Sequence, residues 1–349
     1  MKKIVSRLLI AVVCFIQGSL YAIITVGSGD PANNTAPTED ITYPWQMTGS
    51  WRNGAYCGVP VETNKFRTAT HVGGVIGNQF IFQGQTYTVI AIADGPLDER
   101  ICTVDRNFPA FAKTLRLTNV TGLSFYMFGH GTQRGPSIDI VTQTNVYLLT
   151  NTVTWRGIWK NKLEVKDAFS IFPYYSIGAK TVTWANYVTN YVAVQRGWSF
   201  GQADMVQRWG RNTFTVSAGE LTGAFHQFTF DWNGDPNEGY PSFGDSSGPV
   251  WVKIDGEWYL AGTIYGIDGP WIDQIYGFNF FGAIYDQSYM YNGYGLIPYT
   301  GIPKPAHGYI AGNDLGFFDS VIAGTFVPKP KVYSPLYRFS DIMPLPHLQ

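Results

Sequence analysis

The chain has 349 residues, of which 45% are hydrophobic, 16% aromatic and only 14% charged, and its formal net charge is -1. This length suits one large or two fused all-β units and allows a sizeable core. The low and balanced charge excludes a disordered chain and lacks the basic surface of a nucleic-acid-binding protein. We therefore expect a globular protein with no nucleic-acid partner.

The first 22 residues have the pattern of a secretion signal. Three basic residues precede an apolar run over residues 8–16, small residues follow, and we expect cleavage near Ala22. The run is too short to span a bilayer, although a membrane anchor is the alternative. The pattern predicts a secreted protein, extracellular or periplasmic, that has no membrane contact once residues 1–22 are removed.

The cysteines allow one disulfide at most. Removal of the signal would also remove Cys14 and would leave Cys57 and Cys102. In an oxidising compartment these two could be bonded, but a pair of buried thiols is an equal alternative.

Residues 23–45 are rich in Gly, Pro, Asn and Thr and show no sustained periodicity, which predicts an extended leader on the surface. From Trp51 onward, short runs of β-branched and aromatic residues alternate with turn residues, and helical periodicity is almost absent. The fold class is therefore all-β, as a sandwich or barrel. The predicted strands cover residues 56–61, 66–70, 79–82, 86–91, 100–104, 123–128, 137–149, 153–159, 181–194, 212–216, 225–230, 250–254, 258–265 and 278–284.

The stretch Ser242–Trp251 places the hydroxyl of Ser246 on a turn that an apolar strand follows. Serine is a poor nucleophile at neutral pH, so it needs a base for its proton and amides for the oxyanion that its attack generates. Gly244 can bring its N–H close to that of Ser246. The same residues also favour an ordinary surface turn, so the partners of the serine decide between the two interpretations.

Five histidines could supply the base. His71 ends an apolar run and precedes a glycine-containing turn, so its side chain can face a cleft while its backbone stays fixed. His130 also lies at a strand end but among turn residues, His226 lies within an alternating run, and the last two fall in a weakly patterned region. They are His307 and His347.

An aspartate must orient the imidazole and stabilise its cation. Asp98 immediately precedes a short predicted strand, whereas Asp94, Asp105 and Asp139 are local rivals. Asp139 also opens a strand, so position alone leaves this choice open.

Three segments, in this order, resemble the chymotrypsin-like (trypsin-like) serine proteases: Thr68-Ala69-Thr70-His71, Asp98 before its strand, and Gly244-Asp245-Ser246-Ser247-Gly248-Pro249. The stretch 128–132 resembles the strand that opens the second barrel of that family, and 258–262 resembles its next hairpin. The resemblance covers residues 45–290. It implies two antiparallel six-stranded β-barrels with the active site between them, in agreement with the all-β pattern.

The sequence also indicates a division of the chain near residues 108–120. A polar stretch at residues 118–121 separates two groups of predicted strands. We expect the leader and first barrel in residues 23–117, and the second barrel with insertions in residues 118–300. The Pro- and Gly-rich residues 301–349 are predicted to form an irregular C-terminal extension.

By the resemblance, Ser246 is the nucleophile, His71 the general base and then acid, and Asp98 the residue that orients His71. The backbone N–H groups of Gly244 and Ser246 form the oxyanion hole, and neither a metal nor an organic cofactor is needed. The expected partner is a protein or peptide substrate, bound by a monomer. The residues expected to contact it are Tyr240, Phe243 and Tyr265. The pocket base has no carboxylate, which argues against strict cleavage after Lys or Arg and favours an apolar or small residue.

The sequence departs from the family pattern at several places. Ser247 stands where the family usually has glycine, and Val72 stands where it has a cysteine. Insertions are expected between Val146 and Val206. The activation signature of the family is not evident, so we expect Asp245 to find another partner.

A second function is open to the same sequence. Aromatic side chains on β-sheets can bind carbohydrate or protein, so the fold could serve as a secreted binding or adhesion module with an inactive triad. Aromatic residues at strand spacing are more often core residues. The tryptophans that suggest this function are Trp155, Trp159, Trp184, Trp198 and Trp209.

Overall fold

A computed structural model describes residues 23–26, 34–156, 173–176, 179–203, 205–219, 224–232, 234–273 and 277–327. The predicted signal and the tail beyond residue 327 lie outside the described residues. In chain order the strands are β1 (Ile24–Thr25), β2 (Gly49–Trp51), β3 (Tyr56–Glu62), β4 (Lys65–Ala69), β5 (Gln79–Phe82), β6 (Gln85–Asp94), β7 (Glu99–Val104), β8 (Ser124–Gly129), β9 (Thr132–Arg156), β10 (Pro173–Ser176), β11 (Ala179–Ala203), β12 (Arg208–Val216), β13 (His226–Phe230), β14 (Gly239–Tyr240), β15 (Pro249–Ile254), β16 (Glu257–Ile267), β17 (Trp271–Ile272), β18 (Asn279–Phe280), β19 (Gly282–Ile284), β20 (Tyr291–Asn292), β21 (Gly295–Leu296) and β22 (Ala306–Gly312). The helices are α1 (Thr42–Gln46) and α2 (Leu315–Ile322), and a 3-10 turn spans Glu39–Ile41.

Twelve of these strands close into two six-stranded barrels. The order in the first barrel is β2-β3-β4-β7-β6-β5, and in the second it is β12-β13-β22-β16-β15-β8. The pairings within each barrel are antiparallel. The predicted all-β class and double-barrel architecture are therefore confirmed, and the arrangement is that of the chymotrypsin-like fold.

Tight turns set the register of two hairpins. Gln83 and Gly84, between β5 and β6, have φ values of 47° and 73°, and Asp255 and Gly256, between β15 and β16, have 50° and 83°. Positive φ at both central residues is typical of type I′ turns, whose twist matches that of the flanking strands. Both turns fall where the sequence predicts the strands to end, because glycine adopts this backbone without steric cost.

Aromatic side chains fill both barrels. In the first barrel Phe66 and Phe80 stack with their ring centroids 4.0 Å apart, and both are fully buried. In the second, Phe125 packs against Phe214 at 4.3 Å and against Phe228 at 5.1 Å. Each buried aromatic side chain contributes about 1.5–3 kcal/mol relative to an exposed one, so these clusters account for the high aromatic content.

The chain divides into two compact units. One unit contains both barrels, and the other comprises Arg134–Gly201 and Asp268–Ala306. The second unit has one sheet in the order β10-β11-β19, with β9 paired to β11, and another in the order β18-β17-β20-β21. The run predicted at residues 137–149 and the part of the next run up to Arg156 form the single strand β9, and residues 157–159 lie outside the described residues. None of the described helices is long and apolar enough to cross a bilayer.

The second barrel continues past residue 300, where the sequence places its end. β22 pairs with β16, with Ile310 opposite Ile264, and it is needed to close the barrel. Its apolar pattern is weak because a side chain at Gly308 would clash with the Phe228 ring and one at Gly312 with His226. The predicted C-terminal extension therefore contains a barrel strand.

Helix α2 also belongs to the folded body. Asp314 caps its start by accepting a hydrogen bond from the N–H of Phe317 at 2.9 Å. Phe317, Phe318 and Val321 are buried in the same core cluster as the first barrel. A cap followed by an apolar face is enough to stabilise so short a helix when it packs on an existing core.

The leader is buried in part, contrary to the surface location that the sequence predicts. Ile24 in β1 pairs with Tyr240 in β14, and Ile23 and Ile24 are each only 1% exposed. Gly210 makes this approach possible, because a Cβ atom there would lie 2.8 Å from the Ile23 side chain. The Asn34 amide secures the segment by donating to the carbonyl of Ile23 at 3.2 Å.

The sequence left open whether the two cysteines form a disulfide or remain buried thiols, and in the structure they are thiols. Cys57 and Cys102 are both free and buried. Burial raises the pKa of both thiols, that of Cys102 to about 12. Neither cysteine is therefore a thiolate at neutral pH, and neither has nucleophilic character.

A buried ion pair joins the first barrel to the end of β22. Arg67 in β4 and Glu99 in β7 lie 3.1 Å apart with fully buried side chains. Arg67 also donates to the carbonyls of Ala311 at 2.9 Å and Gly312 at 2.8 Å, and Glu99 accepts from the N–H of Asp314 at 3.2 Å. These bonds offset part of the desolvation cost of the buried ion pair, in which Arg67 Nε and Glu99 Oε1 have no hydrogen-bond partner among the described residues.

The barrel strand at residues 306–312 can be tested by substitution. Ile310→Ala removes a fully buried side chain, so we expect the free energy of unfolding to fall by about 2–5 kcal/mol in urea denaturation. Ile302→Ala is the control, because Ile302 is 72% exposed, and it should change stability by less than about 0.5 kcal/mol. Equal and small effects of the two substitutions would contradict the role of β22.

Candidate active site

The structure brings Asp98 to His71. One carboxylate oxygen of Asp98 accepts from the backbone N–H of His71 at 2.7 Å, and the other lies 2.5 Å from the ring Nδ1. This two-point contact fixes both the main chain and the ring. When Nδ1 donates to the carboxylate, the second ring nitrogen, Nε2, is left as the acceptor.

A strained turn holds Asp98 in this position. Leu97 and Asp98 have φ values of 54° and 68°, in the left-handed region that aspartate tolerates better than most residues. The carbonyl of Asp98 accepts from the N–H of Thr70 at 2.8 Å. The segments before β7 and after β4 are thereby tied together, with Asp98 and His71 side by side.

The rival aspartates have other contacts. Asp94 binds Arg100 through both oxygens, at 2.5 and 3.0 Å. Asp105 accepts from the N–H of Thr88 at 3.0 Å, and Asp139 from the hydroxyl of Ser137 at 3.2 Å. Of the four candidates, only Asp98 is hydrogen-bonded to His71 in the described part of the chain.

The turn around Ser246 leaves two amides without acceptors. The N–H groups of Asp245, Ser247 and Gly248 donate to backbone carbonyls at 3.2, 2.9 and 2.8 Å. Within the described residues, the N–H groups of Gly244 and Ser246 have no such partner. Gly244 has a φ of 86°, a left-handed backbone conformation that glycine adopts without steric cost. Two unpaired N–H groups therefore remain beside the Ser246 hydroxyl.

The buried side chain of Asp245 holds the serine turn in place through hydrogen bonds. It is fully buried, and its two oxygens accept from the N–H of Gly131 at 2.9 Å and from the N–H and hydroxyl of Ser242 at 2.8 and 3.0 Å. Burial raises the pKa of this carboxyl, while the bonds from Ser242 and the charge of Arg208 oppose the rise. These contacts are the local partners that the sequence left unspecified for Asp245.

Strand β16 connects the serine turn to His71. The N–H of Ser247 donates to the carbonyl of Ile264, whose own N–H donates to the carbonyl of Gly248 at 2.8 Å. The next residue, Tyr265, has its ring centroid 5.7 Å from that of His71, in an edge-on arrangement. His71 forms its hydrogen bonds with Asp98, and within the described residues none joins its ring to Ser246 Oγ.

The predicted substrate-contacting residues differ in exposure. Phe243 is 41% exposed and Tyr265 is 38% exposed, and Tyr265 stacks on Phe225 with the centroids 3.9 Å apart. Tyr240 is instead fully buried, with its hydroxyl donating to the carbonyl of His307 at 2.9 Å. Its pairing with β1 explains this burial, so the expectation that Tyr240 offers a surface to substrate is not met.

The other histidines have different environments. His130 is almost fully buried, and burial lowers the pKa of its imidazole. His226 is buried in β13 and accepts from the N–H of Ala218 at 2.8 Å. Residue 347 lies outside the described residues. The interpretation of His226 as a sheet residue is confirmed.

Of the five tryptophans that suggest the alternative function, two have described side chains, and both are buried. Trp198 and Trp209 are 6% and 4% exposed, and Trp209 donates from its ring N–H to the carbonyl of Ala36 at 2.9 Å. The other three lie outside the residues whose side chains the structure describes. The two described tryptophans are core residues.

Gly129 tests the support of the serine turn. A side chain at this position would clash with the Asp245 carboxylate, so Gly129→Ala should displace Asp245 and lower the free energy of unfolding by roughly 1–3 kcal/mol. Gly293→Ala is the control, because its Cβ would meet open space. Thermal denaturation of the two variants should separate them, and an unchanged melting temperature for Gly129→Ala would contradict the packing described.

No protein-family model and no curated protein matches the sequence. Solved structures do match at low identity. Human heparin binding protein is 11% identical with a TM-score of 0.41 over 82% of this chain and 95% of that one. The passenger domain of the plasmid encoded toxin, an autotransporter enterotoxin of enteroaggregative Escherichia coli, is 14% identical with a TM-score of 0.40 over 80% of this chain. This chain spans only 22% of that passenger domain. The two closed barrels themselves show that the fold is chymotrypsin-like.

Proposed function

We propose that the protein is a secreted serine endopeptidase in which Ser246, His71 and Asp98 form the catalytic triad. The observation that best supports this proposal is the two-point contact of Asp98 with His71, at 2.7 and 2.5 Å. A histidine fixed by a carboxylate at Nδ1, with Nε2 available as a base, is what activation of a serine hydroxyl requires.

The reaction proceeds through an acyl-enzyme. His71 Nε2 takes the proton of the Ser246 hydroxyl while Oγ bonds to the carbonyl carbon of the substrate. His71 then gives that proton to the leaving amine as the C–N bond breaks. Water attacks the resulting ester, again losing its proton to His71, and Ser246 recovers the proton when the acid product leaves. Asp98 stabilises the imidazolium that forms in each half of the cycle.

The unpaired N–H groups of Gly244 and Ser246 would stabilise the oxyanion of each tetrahedral intermediate. They are fixed before substrate arrives, because the alternate amides of the turn are bound to carbonyls. The hydrogen bond between Ser246 Oγ and His71 would form in the substrate complex, since such contacts are often long in free enzymes.

The expected substrate is a peptide with an apolar or small side chain before the cleaved bond. Tyr265 provides exposed aromatic surface beside His71 and is stacked on Phe225, and Phe243 is exposed in the turn that carries Ser246. Tyr240 contributes no charge and its hydroxyl is already bonded to the carbonyl of His307. None of these residues carries the carboxylate that strict cleavage after lysine or arginine would require.

The secreted location rests on the charge and hydrophobicity pattern of residues 1–22. The mature enzyme would act as a monomer on protein or peptide substrates, with chemistry supplied by its side chains and backbone amides.

A fluorophosphonate probe tests the nucleophile. Such a probe bonds to an activated serine, so wild-type protein should be labelled, and both Ser246→Ala and His71→Ala should lose labelling. The measurement is the mass increase of the intact protein. Folded wild-type protein that stays unlabelled would contradict the protease and would favour a catalytically inactive binding module.

Asp98→Asn tests the orienting carboxylate. The amide would favour the wrong imidazole tautomer, so the rate of probe labelling at pH 7 should fall roughly 10³- to 10⁴-fold. Asp105→Asn is the matched control, because Asp105 contacts Thr88 rather than His71, and its labelling rate should stay within about twofold of wild type. Similar rates for both variants would remove Asp98 from the triad.

A further inference from the structure

Ser247 occupies a backbone conformation that does not suit serine. Its φ is 66°, in the left-handed region where glycine is favoured, and it is fully buried. Burial excludes it as a second nucleophile. A strained residue persists where its surroundings over-determine its conformation, so its contacts should explain why a side chain is present at all.

The Ser247 hydroxyl bonds to both backbone groups of one residue in the first barrel. Oγ donates to the carbonyl of Cys57 at 2.8 Å and accepts from the N–H of Cys57 at 3.2 Å. A hydroxyl can do both because it has one proton and two lone pairs. On its other side, the N–H of Ser247 donates to Ile264 in β16 of the second barrel at 2.9 Å. Ser247 therefore bridges β3 of one barrel and β16 of the other.

The same carbonyl receives a second hydroxyl. Thr68 in β4 donates from Oγ1 to the carbonyl of Cys57 at 3.0 Å, and Thr68 is three residues before His71. Ser247 directly follows Ser246. The residues adjacent to the proposed nucleophile and those leading to the proposed base are thus bonded to one oxygen atom, which belongs to a buried β-strand.

We propose that Ser247 is a positioning residue whose hydroxyl fixes the nucleophile turn against the first barrel and so sets the place of Ser246 relative to His71. This inference rests on the proposed function. A serine at this position strains the backbone, because its φ is positive. In return, its hydroxyl forms hydrogen bonds that link the two barrels directly beside Ser246. A displacement of about 1 Å between reacting groups can lower a rate by about 10²-fold.

Ser247→Gly is the informative variant. Glycine removes the hydroxyl but also relieves the left-handed strain, so the protein should fold. We expect the acylation rate constant with a peptide p-nitrophenyl ester to fall about 10- to 100-fold, with KM changed less than about threefold because Phe243 and Tyr265 are untouched. Hydrogen exchange should show lost protection at the Cys57 amide, because its hydrogen bond to the Ser247 hydroxyl is absent in the variant.

Ser217→Ala is the matched control. Ser217 is also a buried serine, directly after β12 of the second barrel, and its hydroxyl accepts from the backbone N–H of Val120 at 2.8 Å and donates to Asn119 Oδ1 at 3.0 Å. Ser217→Ala should lower the free energy of unfolding, but below the melting temperature its acylation rate constant should stay within about twofold of that of the wild type. If the role of Ser247 were purely structural, Ser247→Gly would likewise keep an acylation rate constant within about twofold of that of the wild type.

The outcomes separate the two proposals. Labelled wild type with an unaltered acylation rate in folded Ser247→Gly overturns the positioning role and leaves the protease intact. Wild type that is not acylated overturns the protease, and the positioning role with it. A slower acylation with near-constant KM and an exposed Cys57 amide supports both.

Discussion

The buried ion pair of Arg67 and Glu99 is the constraint around which the two barrels meet. Removing two opposite charges from water costs free energy, and hydrogen bonds to their other donors and acceptors reduce that cost. The segment at the end of β22 supplies three such bonds, through the carbonyls of Ala311 and Gly312 and the N–H of Asp314, while Arg67 Nε and Glu99 Oε1 have no hydrogen-bond partner among the described residues. The C-terminal segment therefore contributes directly to the burial of this pair in the first barrel.

The same ion pair lies next to the candidate site in sequence. Glu99 follows Asp98, and Arg67 lies on the strand that leads to His71. Fixing β4 and β7 to the second barrel also fixes the turns that follow and precede them. The position of Asp98 therefore depends on the end of a strand, since the strained turn at Leu97 and Asp98 ends where β7 begins.

Local patterns made much of this fold predictable. Short alternating strands, glycine turns and the Gly244–Pro249 motif depend on neighbouring residues, so the sequence shows them directly. The choice of Asp98 over Asp94 could not be made from position, because it depends on a left-handed turn and on Arg100 binding Asp94. The burial of Tyr240 depends on β1, a segment more than 200 residues away in the chain.

Close packing also made some elements hard to predict from the sequence. β22 has glycines where larger residues would clash with Phe228 and His226, so its apolar pattern is weak. The oddity of Ser247 was visible as a departure from the family motif, but its partner was not, because Cys57 is 190 residues away. A hydroxyl that bonds a distant backbone leaves no local signal.

The two free thiols have a consequence for how the molecule keeps its shape. No covalent cross-link joins distant parts of the described chain, so packing and hydrogen bonds supply its cohesion. Reductants have no bond to cleave at Cys57 or Cys102, and burial keeps both sulfurs protonated and slow to oxidise. The described fold should therefore be insensitive to redox potential and should form as readily in a reducing cytosol as in an oxidising medium.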